Sequence, residues 1–416
     1  MRQRTNGMRA RAWTSGVALW LYCLGAFAST QANDDAPLES ISKERLAAAI
    51  DKSATYLARL CEADGRFVYR QHLDADVTFS PAYNELRHAG AIYALAQYGQ
   101  RSPDPAVSAA MVRAADFLRR ECLRPLPENG NLLALWAPED VQNKKLTEAK
   151  LGGAGLALVA LLSVERLQPG TIPKSELTGL GRFILFMQRG DGSLSSKYIP
   201  GRGRSNGWQS DYYPGEAALG LLMLHQLDPA PQWSNGAAKA LRFLAEQGAT
   251  QRPTFPDQWF LLAAEQFWKL PPDDASPVSR DAVAAHARHI CEDMLNAQDR
   301  WRDNAGIAGC FTDDGRSCPT ATRLEGLLAA RVCVASSDEA FQRRLAQGVQ
   351  LGMQFLLRCQ ITEGPHAGAF PRVMPATATD NIETQRKFSG EIRIDYVQHA
   401  LSAMIAYESW LTEIQD

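Results

Sequence analysis

Six apolar stretches of this chain each open on a cluster of polar, chargeable or aromatic residues. The clusters read Tyr83-Asn84-Glu85-Leu86-Arg87-His88, Glu148-Ala149-Lys150-Leu151-Gly152, Asp211-Tyr212-Tyr213-Pro214-Gly215-Glu216, Pro256-Asp257-Gln258-Trp259, Thr322-Arg323-Leu324-Glu325-Gly326 and Arg393-Ile394-Asp395-Tyr396-Val397-Gln398-His399. Carboxylates such as Glu216, Asp257, Glu325 and Asp395 can supply an acid and a base, and glycoside hydrolysis uses two of them roughly 5–10 Å apart. Arg87, Arg323, Arg372 and Lys150 can hold an acidic group, arginine bidentately. Tyr83, Tyr213 and Trp259 can stack on sugar faces, and Tyr83 or His88 can move protons. The catalytic candidates are therefore Glu216, Asp257, Asp395 and His88. The substrate-binding candidates are Tyr83, Asn84, Arg87, Lys150, Tyr212, Tyr213, Trp259, Arg323, Glu325, Arg372, Gln398 and His399. A plainer reading stands beside each residue: aspartates cap helices, prolines suit a first helical turn, and Arg87–Glu216 or Arg323–Asp395 are candidate buried ion pairs. As a set, six polar openings on apolar segments are costly to bury without a purpose.

The elements that carry these clusters are helices of two kinds. Leu46, Ile50, Leu57 and Leu60, and likewise Leu177, Leu180, Ile184 and Met187, form single apolar stripes, so those helices bury one face. Leu151–Ser163 and Ala217–Leu224 carry no charge and must bury every face, yet both are too short to span a membrane. One-sided helices are expected near 42–60, 104–122, 174–188, 235–247, 281–297 and 339–358. Fully apolar ones are expected near 84–98, 149–163, 214–226, 257–269, 322–334 and 395–409. Six outer–inner pairs at a period of about 60 residues are the signature of a repeat architecture. An inner ring sheltered by an outer ring explains both kinds, which predicts an all-α (α/α)6 toroid of six outer–inner helical hairpins. If the inner helices run parallel, the six polar clusters meet at one mouth, where helix N-termini favour an anionic or hydroxyl-rich ligand.

The turns after the outer helices are also alike: Ala63-Asp64-Gly65, Gln188-Arg189-Gly190-Asp191-Gly192-Ser193, Asn304-Ala305-Gly306 and the stretch 364–371. The Gln188–Ser193 turn resembles the Q-x-x-D-G-S turn of the squalene cyclase and protein prenyltransferase toroids. The order of six pairs resembles the six-hairpin glycosidases, uronate lyases and sugar epimerases. The resemblance spans nearly the whole chain beyond residue 40 and implies the fold; it also implies an active site at the N-terminal ends of the inner helices. It leaves the activity open among glycoside hydrolase, polysaccharide lyase and sugar epimerase. Two other classes stand as alternatives: a cyclase- or prenyltransferase-like toroid acting on an isoprenoid or lipid, and a non-catalytic protein that grips a glycan or peptide.

Several signatures are missing. The D-x-D-D motif of squalene–hopene cyclases, the H-E-x-x-H helix, the P-loop and G-x-S-x-G do not occur. No metal site and no cofactor are expected; His286 and His289, three apart on an outer helix, read as a solvated face. With a formal net charge of −2 there is no basic footprint for nucleic acid. The partner expected is a small-molecule or glycan substrate, with oligomeric state unread. Arg2, Arg4, Arg9 and Arg11 precede an apolar run that ends Ala26-Phe27-Ala28, the pattern of a secretory signal. The expected layout is a signal at 1–28, a linker at 29–40 and a single toroid domain at 41–416. It would be periplasmic or secreted, with no membrane span once the signal is cleaved. An oxidising compartment permits disulfides: Cys310 and Cys318, flanking a Gly- and Asp-rich loop, are the expected pair.

Overall fold

The fold rests on which faces of the twelve α-helices among the described residues are apolar. A computed structural model describes residues 41–80, 82–140, 147–205, 207–334, 338–373 and 388–414. The expected signal and linker lie outside these residues. Six helices have one buried face: α1 (Lys43–Arg59), α3 (Pro105–Phe117), α5 (Lys174–Met187), α7 (Pro231–Gly248), α9 (Arg280–Asp299) and α11 (Glu339–Cys359). In α11 the buried set Phe341, Leu345, Gly348, Val349, Gly352 and Leu356 follows the helical period. They alternate with α2 (Glu85–Arg101), α4 (Leu151–Leu167), α6 (Tyr213–Leu227), α8 (Gln258–Trp268), α10 (Ser317–Val334) and α12 (Ile394–Glu413). These are buried almost all round; in α4 every residue from Leu151 to Val164 is buried.

Each of these six packs against the next, and α12 returns onto α2, so the inner helices form a closed ring. The outer helices cover it, α3 on α2, α5 on α4, α7 on α6 and α1 on α12. Glycines set the spacing of the ring: a Cβ on Gly155 would stand 2.7 Å from the backbone of Glu216, and one on Gly215 would stand 2.7 Å from the Phe260 nitrogen. Helix starts are fixed by side-chain caps. Ser42, Asn84, Asp104, Asp257, Ser279 and Asp338 each accept from backbone N–H groups of the first turn. Among the described residues no helix is long and apolar enough to cross a membrane.

Short strands trim the ends. β1 (Arg70–His72) pairs antiparallel with β7 (Glu391–Arg393), which ties the first hairpin to the last. β2 (Leu123–Leu126) and β3 (Asn129–Leu135) form a second ribbon. β4 (Ala149–Lys150), β5 (Lys197–Ile199) and β6 (Gly203–Ser205) form a third, at the start of α4.

The expected Cys310–Cys318 bridge does not form, and all seven described cysteines are free. The cause is the start of α10. It begins at Ser317, five residues before the expected start, with Ser317 tied to the Arg372 and Pro371 carbonyls. Cys318 is thereby fixed in the first helical turn. Cys310 instead places its sulfur on the Thr312 and Thr320 hydroxyls, at 3.4 and 3.3 Å.

Gly155→Val drives a side chain into α6 and is expected to cost about 1–3 kcal/mol of unfolding free energy. Gly190→Ala, with open space around it, should change stability by less than about 0.5 kcal/mol. Urea unfolding of the two variants checks the pair.

Candidate functional site

The six polar openings do meet at one end of the ring, and neighbouring contacts trace the circle. Lys150 lies 3.1 Å from Glu85, joining α4 to α2. The Glu216 carboxyl and the Tyr213 ring of α6 fill the space over Gly152 of α4. Gly215 packs on Trp259 and Phe260 of α8, and Gln258 packs on Gly326 of α10. Glu325 of α10 meets His399 of α12 at 2.7 Å. Arg87 of α2 meets Asp395 of α12 at 3.0 Å, and Gln398 lies over Gly90. All six inner helices therefore run in the same direction, with their N-termini and positive dipole ends together.

Residues three or four apart share a helix face. A cavity of about 880 Å³ occupies the C-terminal part of the lumen, lined among others by Leu219, Leu262, Leu328 and Ser402. Glu216, Gln258, Glu325 and His399 lie three or four residues before these and stand on the same lumen-facing stripes. A polar ring thus sits between the N-terminal openings and the cavity. The cavity lies at the end opposite the one expected to hold a pocket.

Glu216 is the most unusual member of the ring. It is 5% exposed, and its Oε2 has no hydrogen-bond partner among the described residues. Burial, reinforced by the charge of Asp257, pushes its carboxyl up to about 8, so it carries a proton at neutral pH. Asp257 is also buried and is raised to about 7 by burial. The Phe260 and Trp259 N–H groups that it caps oppose that rise, and Asp211 adds to it. Two such carboxyls cannot both ionise cheaply, which makes them an acid–base pair rather than two anions. Beside them Glu325 Oε2 meets His399 Nδ1 at 2.7 Å, and the Gln398 side-chain nitrogen approaches the same Nδ1 at 3.1 Å. Burial pushes the Glu325 carboxyl up, while His399 and Ser402 oppose the rise. His399 Nε2 has no hydrogen-bond partner among the described residues, and the Trp259 ring lies 6.0 Å away.

Other candidates have different positions. His88 is fully buried against α3: its Nε2 donates to the Ala114 carbonyl at 2.8 Å and its Nδ1 accepts from Tyr83 at 2.6 Å. Burial pushes this imidazole down to about 4. Tyr83 in turn accepts from the Phe67 N–H, so both side chains brace the α2–α3 contact with no group left for substrate. Asp395 is held in an arginine network. Burial alone would raise its carboxyl, but Arg87 at 3.0 Å and the bidentate Arg393 hold it below the usual range. Arg87 is correspondingly occupied by Asp395 and the Tyr69 hydroxyl, and it forms neither the Glu216 pair nor a free anion site. Arg323 makes no ion pair with Asp395; among the described residues it donates to Thr322. Burial pushes its guanidinium down, and Tyr212 and Cys318 are its neighbours. Arg372 lies over the Phe388 ring. Asn84 caps α2. His286 is buried edge-on against Phe260 rather than solvated, and His289 meets Arg252. Among the described residues no group of three or more His, Cys, Asp or Glu side chains is placed to hold a metal.

No protein-family model matches the sequence, and no curated protein is similar to it by sequence. Solved structures are similar in shape. A cellobiose 2-epimerase from Spirochaeta thermophila has a TM-score of 0.65 at 12% identity, over 90% of this chain and 97% of that one. A D-mannose isomerase has a TM-score of 0.63 at 13% identity, over 89% and 100%. An unsaturated glucuronyl hydrolase specific for heparin has a TM-score of 0.58 at 12% identity, over 89% and 99%. The chain is a six-hairpin (α/α)6 toroid. At these identities the likeness is one of fold, and the similar toroids include isomerases, epimerases and hydrolases that act on sugars.

The toroid also places residues at the mouth that the sequence reading passed over. Trp208 is 49% exposed; its ring meets Tyr213 edge-on at 5.7 Å and carries the Lys197 ammonium 4.8 Å from its centre. A lone tryptophan in a Gly- and Ser-rich stretch just before α6 was an available signal. Glu391, buried and paired with Arg70 and Tyr396, had none, because Arg70, its charge partner, lies on another strand more than three hundred residues away.

Two outcomes follow. Asp395→Ala leaves Arg87 and Arg393 without their anion and should cost about 3–5 kcal/mol, read as a lowered urea midpoint. Glu216 binds its proton more tightly folded than unfolded, where 4.5 is the ordinary value. Its stabilising contribution is therefore complete below about pH 4.5 and lost as pH rises through about 8. Glu216→Gln lacks this loss, so the stability of the variant relative to the parent should climb between pH 5 and 8, by up to about 1.4 kcal/mol per unit. A flat difference would show that the carboxyl ionises freely.

Proposed function

We propose that the chain is an exported carbohydrate-active enzyme that transfers protons on a sugar unit at the polar ring. The observation that carries this reading is the lumen-facing Glu216, a carboxyl kept protonated at neutral pH with an unpartnered oxygen. Such a group is a general acid. With Nδ1 protonated toward Glu325, His399 offers its unpartnered Nε2 as the matching base, whereas Asp257 has one oxygen engaged in capping α8. This favours removal of a carbon-bound proton, as in epimerisation, isomerisation or elimination. The adjacency of Glu216 and Asp257 carries hydrolysis as the second reading, with Glu216 protonating the leaving oxygen and Asp257 activating water. The half-buried Arg323, which has no carboxylate partner among the described residues, supports an acidic sugar such as a uronate. Trp208 and Tyr213 offer ring faces for stacking. A lumen ringed by Glu216, Gln258, Glu325 and His399 runs against an isoprenoid substrate, which an aromatic lining would suit better. The basic and apolar opening of the chain supports export to the periplasm or medium.

Purified protein assayed on neutral and uronate-containing oligosaccharides tests this. Glu216→Gln should lower kcat at least about a hundredfold. Loss of activity in His399→Asn together with deuterium entering the product from D2O marks proton abstraction. Loss in Asp257→Asn with new reducing ends marks hydrolysis. Unchanged turnover in Glu216→Gln would end the catalytic assignment.

A further inference from the structure

We propose that the C-terminal cavity is the solvent end of a proton route through the barrel, with Glu325 relaying protons between cavity water and His399. The proposal rests on the reading of His399 as a base.

Glu325 belongs to two environments at once. Its Oε2 meets His399 Nδ1 at 2.7 Å on the polar ring. The same side chain lines the cavity, together with Tyr93, Gln97 and Ser402. Ser402 donates to the Gln97 side-chain oxygen at 2.5 Å and lines the same cavity as Glu325. The cavity measures about 880 Å³, against about 30 Å³ per molecule in liquid water. Hydroxyl, amide and carboxylate groups at its inner end give water the partners it needs to stay. From there it runs between Leu219, Leu262 and Ile405 to a charged rim at the helix C-termini, which include Lys269 and Arg331.

The proton count closes without any further reactant. His399 Nε2 takes a proton from a sugar carbon, whose C–H electron pair stays on the substrate. The imidazolium then gives its Nδ1 proton to the Glu325 carboxylate. The carboxylic acid so formed passes that proton to water in the cavity, which restores the carboxylate and leaves a neutral imidazole protonated at Nε2; the starting tautomer returns when Nε2 gives its proton back to the substrate carbon and Glu325 hands a cavity proton to Nδ1. Return of a proton to the substrate runs the same steps backwards. A sugar seated at the N-terminal openings covers that side of His399, so water reaches the pair from the opposite face. An acceptor that only oriented the ring would need no cavity behind it.

The test reads the exchange of the His399 Nδ1 proton with water, by NMR of the full chain carrying 15N-histidine. His399→Asn identifies the signal. Ala329→Trp fills the cavity from its wall without touching His399, and should slow the exchange at least tenfold. Glu325→Gln, which keeps a hydrogen-bonding side chain but cannot carry the proton, should do the same. If Ala329→Trp does not fold, the cavity is blocked after folding instead. Ala406→Cys is then treated with a bulky methanethiosulfonate reagent, and the parent protein treated alike is the control. Exchange as fast in a folded, blocked barrel as in the parent overturns the route. The measurement needs no sugar, so its outcome stands apart from the turnover of Glu216→Gln.

Discussion

Closure of the inner ring is the constraint on which the rest depends. A helix that packs on a neighbour to each side and on an outer helix behind has one face left, and that face looks into the lumen. Any polar side chain on the ring must then hydrogen-bond across the lumen or stay unsatisfied, since burying it unpaired is costly. Most groups at the N-terminal end find partners in this way: Lys150 with Glu85, Arg87 and Arg393 with Asp395, Glu325 with His399. Glu216 does not. Its proton at neutral pH is the price of being held among apolar neighbours beside a second carboxyl.

The same closure divides the lumen. Small residues on the inner helices, Gly152, Gly155, Gly215 and Gly326, let the N-terminal turns approach closely. Toward the C-termini the lining becomes Ser163, Ala329, Ala406 and leucines, and space opens. The polar ring is the boundary between the two halves. Residues on it touch both, which is why one carboxylate, Glu325, reaches a histidine on one side and a cavity on the other.

Much of the architecture was legible in the sequence because its cause is local. Whether a helix buries one face or all of them shows in its apolar period, and the boundaries expected for the outer helices match within a few residues. The start of α10 was not legible. Ser317 and Cys318 read as loop because the residues that fix the turn, Pro371 and Arg372, come more than fifty positions later. The disulfide expectation failed with it.

For the site, the sequence by itself determined which residue types stand at the openings of the buried helices, and that these openings gather if the helices are parallel. Only the tertiary structure decided which of them are free to act. His88, Asp395 and Arg87 looked as reactive as Glu216 and His399 in one dimension. Their hydrogen bonds to Ala114, Arg393 and Tyr69 remove them, whereas the Glu216 oxygen is left without a partner. The reason is physical: the proton affinity of a carboxyl or imidazole is set by its burial and by charges within a few ångströms. In a closed ring those neighbours come from other helices, up to several hundred residues away along the chain.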